Sequence, residues 1–115
     1  MADDKLFARR LKAARGRKAA KLGYKTSRGF SQERLGIEAG IDEATASARI
    51  NQYEQGVHVP EFSTACRLAE ILEVPVAYLF CQEDELAELL LAAYELGVKK
   101  RKELARLAGE IGKDK

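Results

Sequence analysis

Residues that commonly carry covalent or metal chemistry are scarce in this sequence. His58 is the one histidine, Cys66 and Cys81 are the only cysteines, and no two of them stand at metal-ligand spacing. No nucleophile is paired with a base, no tuned pair of carboxylates is discernible, and no Gly-rich phosphate loop is present, so catalysis, a structural zinc and a bound cofactor are not expected. Cys66 sits among apolar neighbours and reads as a small buried hydrophobe, while Cys81 falls at a helix end and reads as exposed. The chain is, however, rich in charge, and the net value of +2 hides how it is distributed. Residues 1 to 30 hold ten Lys and Arg against two Asp, a balance of +8, residues 31 to 97 hold three against thirteen acids, −10, and residues 98 to 115 hold seven against three, +4. Clustered cations attract a polyanion, although such a run also serves as a solvated face.

The elements that must position these charges are helical throughout. At 115 residues the chain fits one domain, and 46% hydrophobic with 33% charged residues is a globular composition. From Lys5 to about Ala20, Leu6, Phe7, Leu11 and Ala14 recur at a helical period with Lys and Arg between them. Residues 21–30 carry two glycines and no sustained period, and read as a basic loop. Ser31 then caps a second helix of about two turns that ends near Gly40. Asp42, with Glu43 in the first turn, is the expected cap of a third, whose Ala46, Ile50 and Tyr53 share a face and which Gly56 stops near Gln55. Glu61 to Glu73 predicts a fourth, and Pro75 opens a short fifth through Tyr78 and Phe80. Beyond Glu83, Leu86, Leu89, Leu90, Ala93 and Leu96 make a wide apolar stripe, continued more weakly after Gly97 by Leu104, Leu107, Ala108 and Ile111. No segment alternates with a period of two, so the fold class is all-α.

A short helix, a tight turn with Gly and a second helix with an outward polar face is the layout of a helix-turn-helix. Here the residues sharpen it. Phe30-Ser31-Gln32-Glu33-Arg34-Leu35, then Ala39-Gly40-Ile41, then Ile50-Asn51-Gln52-Tyr53-Glu54-Gln55-Gly56 and Pro60 resemble the Cro and lambda-repressor-like family in order and spacing. Leu68-Ala69, Val74-Pro75 and Tyr78-Leu79-Phe80 look like that family's last two helices. Two insertions depart from it: about ten residues between Ala19 and Gly29, and about four between Ile41 and Ile50, before or within the recognition helix. The resemblance, which covers about Leu6 to Cys81, implies a five-helix DNA-binding domain, set at residues 1–82, and the apolar stripe beyond it makes the C-terminal helical extension over 83–115 the expected dimerisation element.

Anchored on Ile50 and Glu54, the resemblance implies base reading by Ser47, Ala48 and Gln52, with Arg49 and Asn51 beside them. A glutamine amide can donate to and accept from adenine at once, and an arginine can donate two hydrogen bonds to guanine or hold a phosphate. Ser31, Gln32 and Gln55 are implied phosphate contacts, and Arg15 with Glu54 matches a structural ion pair bridging the first helix to the end of the third. Val57-His58-Val59 stands where the family often places Lys or Arg, so Arg17, Lys18, Lys21, Lys25 and Arg28 are the expected source of phosphate affinity. The partners expected are duplex DNA and a second copy, joined through Leu86, Leu89, Leu90, Ala93 and Leu96. These would bury against Tyr78 to Phe80 and against the same surface of that copy. The competing reading is a protein-interaction module, such as an antitoxin-like partner-binding protein, supported by the acidic centre. No run of 18 apolar residues and no signal-like start is present, so a protein of the bacterial cytoplasm or nucleoid is expected, with no membrane contact and no small-molecule ligand.

Overall fold

The computed structural model describes residues 4–114. Among them every regular element is helical, as the hydrophobic spacing requires: α1 (Leu6–Lys21), a 3₁₀ turn (Ser27–Gly29), α2 (Gln32–Glu38), α3 (Ala46–Glu54), α4 (Phe62–Leu72), a second 3₁₀ turn (Val76–Phe80), α5 (Asp84–Tyr94) and α6 (Val98–Lys113). One core joins these pieces, built from Phe7, Leu11 and Ala14 of α1, Phe30, Leu35, Ile50, Tyr53, Leu68, Leu72, Leu79 and, from α5, Ala87 and Leu91.

The helix-turn-helix is closed at both ends by local chemistry. Ser31 caps α2 by accepting a hydrogen bond from the Arg34 N–H at 3.0 Å. Gly40, at φ 89°, ends it in a left-handed turn where its N–H donates to the Ile37 carbonyl and that of Ile41 to the Gly36 carbonyl. The expected cap at Asp42 is corrected: residues 43–45 form a turn, closed by the Thr45 N–H on the Asp42 carbonyl at 3.0 Å, and α3 begins only at Ala46. The residues that the resemblance reads as inserted therefore lie before α3 rather than within it. A tertiary contact fixes that start. A Cβ on Gly36 would stand 2.8 Å from the Ala46 Cβ and 2.9 Å from the Ala46 carbonyl oxygen, so α2 and the first turn of α3 touch backbone to backbone.

The connection between α1 and α2 is folded. The N–H groups of Gly23 and Tyr24 return to the Ala20 and Ala19 carbonyls, Tyr24 lies over Gly29, and Arg15 donates to the Ser27 carbonyl at 2.9 Å. The fifth helix of the sequence reading is the 3₁₀ turn Val76–Phe80, anchored by Phe80 against Phe7 with ring centroids 5.4 Å apart.

The C-terminal region is two helices, and the expectation for the first is corrected in its facing. Ala87 and Leu91 seat α5 on the body, while Leu86 and Leu89 stay exposed and Leu90, Ala93 and Leu96 are half-buried. Within one copy the second row is therefore only partly covered, and polar contacts hold both ends of the helix. The Arg10 guanidinium, buried in α1, donates from Nε and Nη2 to the Cys81 carbonyl and from Nη2 to Asp84 at 3.0 Å. At the other end of α5, Arg17 and Lys21 both hold Glu95. α6 follows Gly97 and has no buried residue.

Candidate nucleic-acid interface

On α3 the residues divide by face. Ala46, Ile50, Tyr53 and Glu54 point inward and are buried, which leaves Ser47, Ala48, Arg49, Asn51, Gln52 and Gln55 outward and exposed. Such a division follows from the 3.6-residue period once Ile50 and Tyr53 are drawn into the core.

The inward charge on that helix is held by a compact network. Arg15 meets Glu54 in a two-pronged pair, Nε to Oε2 at 2.6 Å and Nη2 to Oε1 at 3.0 Å, with only 1% of the Glu54 side chain accessible. The remaining guanidinium nitrogen, Nη1, donates to the carbonyls of Ser27 and Phe30, both at 2.9 Å. One side chain thus ties α1, the inserted loop, the entry to α2 and the end of α3 together. The network continues outward: the Gln32 Nε2 donates to Glu54 Oε1 at 3.1 Å and to Asn51 Oδ1 at 3.2 Å. Gln32 is held across the turn against α3 rather than waving in solvent.

Around Gln32 the surface forms a groove lined by Lys12, Arg15, Arg28, Ser31, Gln32, Ser47, Asn51 and Gln55, together with the acids Glu33 and Glu54. Beside it, Arg49 and Gln52 line a second shallow groove with His58 and Glu61. Lys12, Lys25, Arg28 and Arg49 have no side-chain partner among the described residues, and all four are exposed. Lys12 was missed by the sequence reading. Its signal is its position one turn before Arg15 on α1, which puts both on the side facing α3.

Four of the expected phosphate contacts do not line this groove: Lys25 is exposed on the loop, and Arg17, Lys18 and Lys21 are paired elsewhere. Arg17 lines a different surface with Tyr78, Glu88 and Leu91, and its Nη2 donates to Glu95 at 2.8 Å. Lys21 shares that carboxylate at 2.7 Å, and Lys18 holds Glu73. The Lys21 hydrogen bond holds Glu95 below the usual carboxylate range, and the Lys18 hydrogen bond does the same for Glu73. Arg10 was also missed as an organising residue, and it likewise lowers Asp84 through its hydrogen bond. Among the described residues no three His, Cys, Asp or Glu converge on a point where a metal ion could sit, and no helix is long and apolar enough to cross a membrane.

No family model and no curated protein matches this chain. Among solved structures, one described as the crystal structure of transcriptional regulator BswR matches it at 48% sequence identity and a TM-score of 0.74, covering 90% of this chain and 92% of that one.

Proposed function

Because the chain belongs to the family of the transcriptional regulator BswR, we propose that it is a DNA-binding transcriptional repressor of the Cro and lambda-repressor-like type, reading a near-palindromic operator through α3 in the major groove. The observation that carries this reading is the outward row of α3 set on an immobilised base. Ser47, Ala48, Arg49, Asn51 and Gln52 are exposed, while Glu54, on the same helix, is locked to Arg15. A recognition helix needs both properties, since base edges are distinguished only by donors and acceptors held in register. Gln52 suits adenine, Arg49 suits guanine, and the Ala48 methyl suits the methyl of thymine.

Phosphate contact falls to Ser31, Gln32 and Gln55 around the groove, with Lys12 and Arg28 on its lining and Lys25 on the exposed loop supplying charge. Two copies, joined through the exposed row of α5, would set two recognition helices about 34 Å apart, one turn of DNA. Such a protein acts in the bacterial cytoplasm, at the nucleoid.

The test is selection of bound sites from a random duplex pool, followed by competition against unselected DNA. Gln52→Ala with Arg49→Ala is expected to lose about 1 to 3 kcal/mol of discrimination per base pair read, with the unfolding transition unchanged because both side chains are exposed. A double variant that discriminates as well as the parent would refute the assignment of α3. Salt-independent binding, or none, would favour the protein-interaction module instead.

A further inference from the structure

α5 has apolar residues on two faces. Ala87 and Leu91 are in the core, whereas Leu86 is 44% and Leu89 51% exposed, with Leu90 and Ala93 half-buried beside them. A helix of this kind is built to be covered twice, and among the described residues the second face has only partial cover. α6 presents the converse. Leu104, Leu107, Ala108 and Ile111 fall on one side of it, with Lys100 and Arg101 heading the same side, yet none is buried and Ile111 is 72% exposed. It meets α5 near the joint at Gly97, where the Arg101 guanidinium stands 5.8 Å from the Tyr94 ring centroid.

The charges of the two helices are opposite. The segment Glu83-Asp84-Glu85 opens α5, which contains no Lys or Arg, whereas residues 98–113 carry six Lys and Arg against two Glu. On α5 the residues flanking the exposed leucine row are Glu83 and Glu85, and on α6 the basic residues sharing the apolar side are Lys100 and Arg101.

We propose that α6 of one copy lies along the exposed Leu86, Leu89, Leu90 and Ala93 row of α5 in a second copy, and reciprocally. This deepens, and rests on, the reading that the protein works as a pair. The arrangement buries both unpartnered apolar rows and brings Lys100 and Arg101 to Glu83 and Glu85. It also closes on itself, because each copy offers one donor helix and one acceptor face. Packing α5 against α5 would instead leave the apolar side of α6 bare, and in a parallel pair would also oppose Glu83 and Glu85 to their own duplicates.

Sedimentation equilibrium of the full chain at micromolar concentration tests this with two charge reversals. Glu83→Lys with Glu85→Lys, and separately Lys100→Glu with Arg101→Glu, should each weaken dimerisation about tenfold or more. An equimolar mixture of the two reversed proteins should recover the parental dimer, since both cross-contacts are then opposite in sign. Leu107→Glu with Ile111→Glu should give a monomer whose thermal unfolding of the body is unchanged, because α6 contributes no buried residue. A monomeric parent overturns the pairing reading itself. A dimeric parent whose reversed variants remain dimeric, or whose mixture fails to recover, leaves pairing intact and overturns the assignment of α6 to α5. So does a dimeric Leu107→Glu, Ile111→Glu variant.

Discussion

Glu54 is an acidic side chain in a place where water scarcely reaches it, and the orientation of α3 depends on how it is paired. Arg15 answers with two hydrogen bonds, and its remaining nitrogen satisfies the carbonyls of Ser27 and Phe30. A buried pair of this type adds little net stability over an apolar one, but removing one member strands the other. Arg15→Ala or Glu54→Ala should therefore each cost about 3 to 5 kcal/mol, measured by urea denaturation, while Arg15→Met combined with Glu54→Leu should recover a large part of the loss. Recovery of stability in the double variant without recovery of operator affinity is expected, since Gln32 would lose the Glu54 oxygen that orients it. The positions of Arg15 and Glu54 were legible in the sequence through the family resemblance. Arg10 was not, because its acceptors are the Cys81 carbonyl and Asp84, more than seventy residues away, and no local spacing encodes that contact.

Among the elements, the ends of α2 and α3 were readable and the start of α3 was not. Gly40 and Gly56 stop their helices through backbone chemistry that Gly alone favours, with φ 89° and 77°. Asp42 and Glu43 have the right side chains for a helix start, but the start is dictated by Ala46 seating on Gly36, a contact between helices. Gly36→Ala should accordingly destabilise the protein by about 1 to 3 kcal/mol, and should reduce operator affinity by more than the folded fraction explains, because the added methyl pushes on the first turn of α3. Thermal unfolding and binding on the same preparation separate the two effects. The rotation of α5 was also illegible: it has apolar residues on two faces, and periodicity cannot choose between them. Arg10 on Asp84 at one end, with Arg17 and Lys21 on Glu95 at the other, makes the choice. Both carboxylates are held below their ordinary values of 3.8 and 4.5. Groups lowered in the folded state stabilise it above their unfolded values, and that contribution disappears as pH falls through the folded ones. Hydrogen-exchange protection at α5, taken relative to the unstructured rate at each pH, should therefore fall ahead of that of the α1 to α4 core as pH drops below about 4.5. Asp84→Asn with Glu95→Gln should show fast α5 exchange already at neutral pH.

Across the whole molecule, folding changes what the uneven charge of the sequence means. Ten cations in the first thirty residues suggest one continuous phosphate-binding segment. In the folded chain they diverge around α1: Arg10, Arg17, Lys18 and Lys21 turn toward acids of the central region, while Lys12 and Arg28 reach the groove beside Gln32, Lys25 remaining unpaired on the loop. The acidic centre is therefore in part an internal counterion for one side of α1, and the cations left over mark the side available to a polyanion. This division can be measured, because each phosphate contact adds about 0.9 to the slope of log affinity against log salt. Lys12→Ser with Lys25→Ser and Arg28→Ser should flatten that slope by about 2 to 3 and weaken operator and random DNA alike, with little change in stability, since all three side chains are exposed and unpaired among the described residues. Arg17→Ser with Lys18→Ser and Lys21→Ser removes the same formal charge from the same segment. It should leave the slope nearly unchanged and instead lower the unfolding midpoint, because it frees Glu73 and Glu95 and loosens the end of α5. Equal flattening by the two triple variants would mean that total charge, rather than its placement by the fold, governs the contact with DNA.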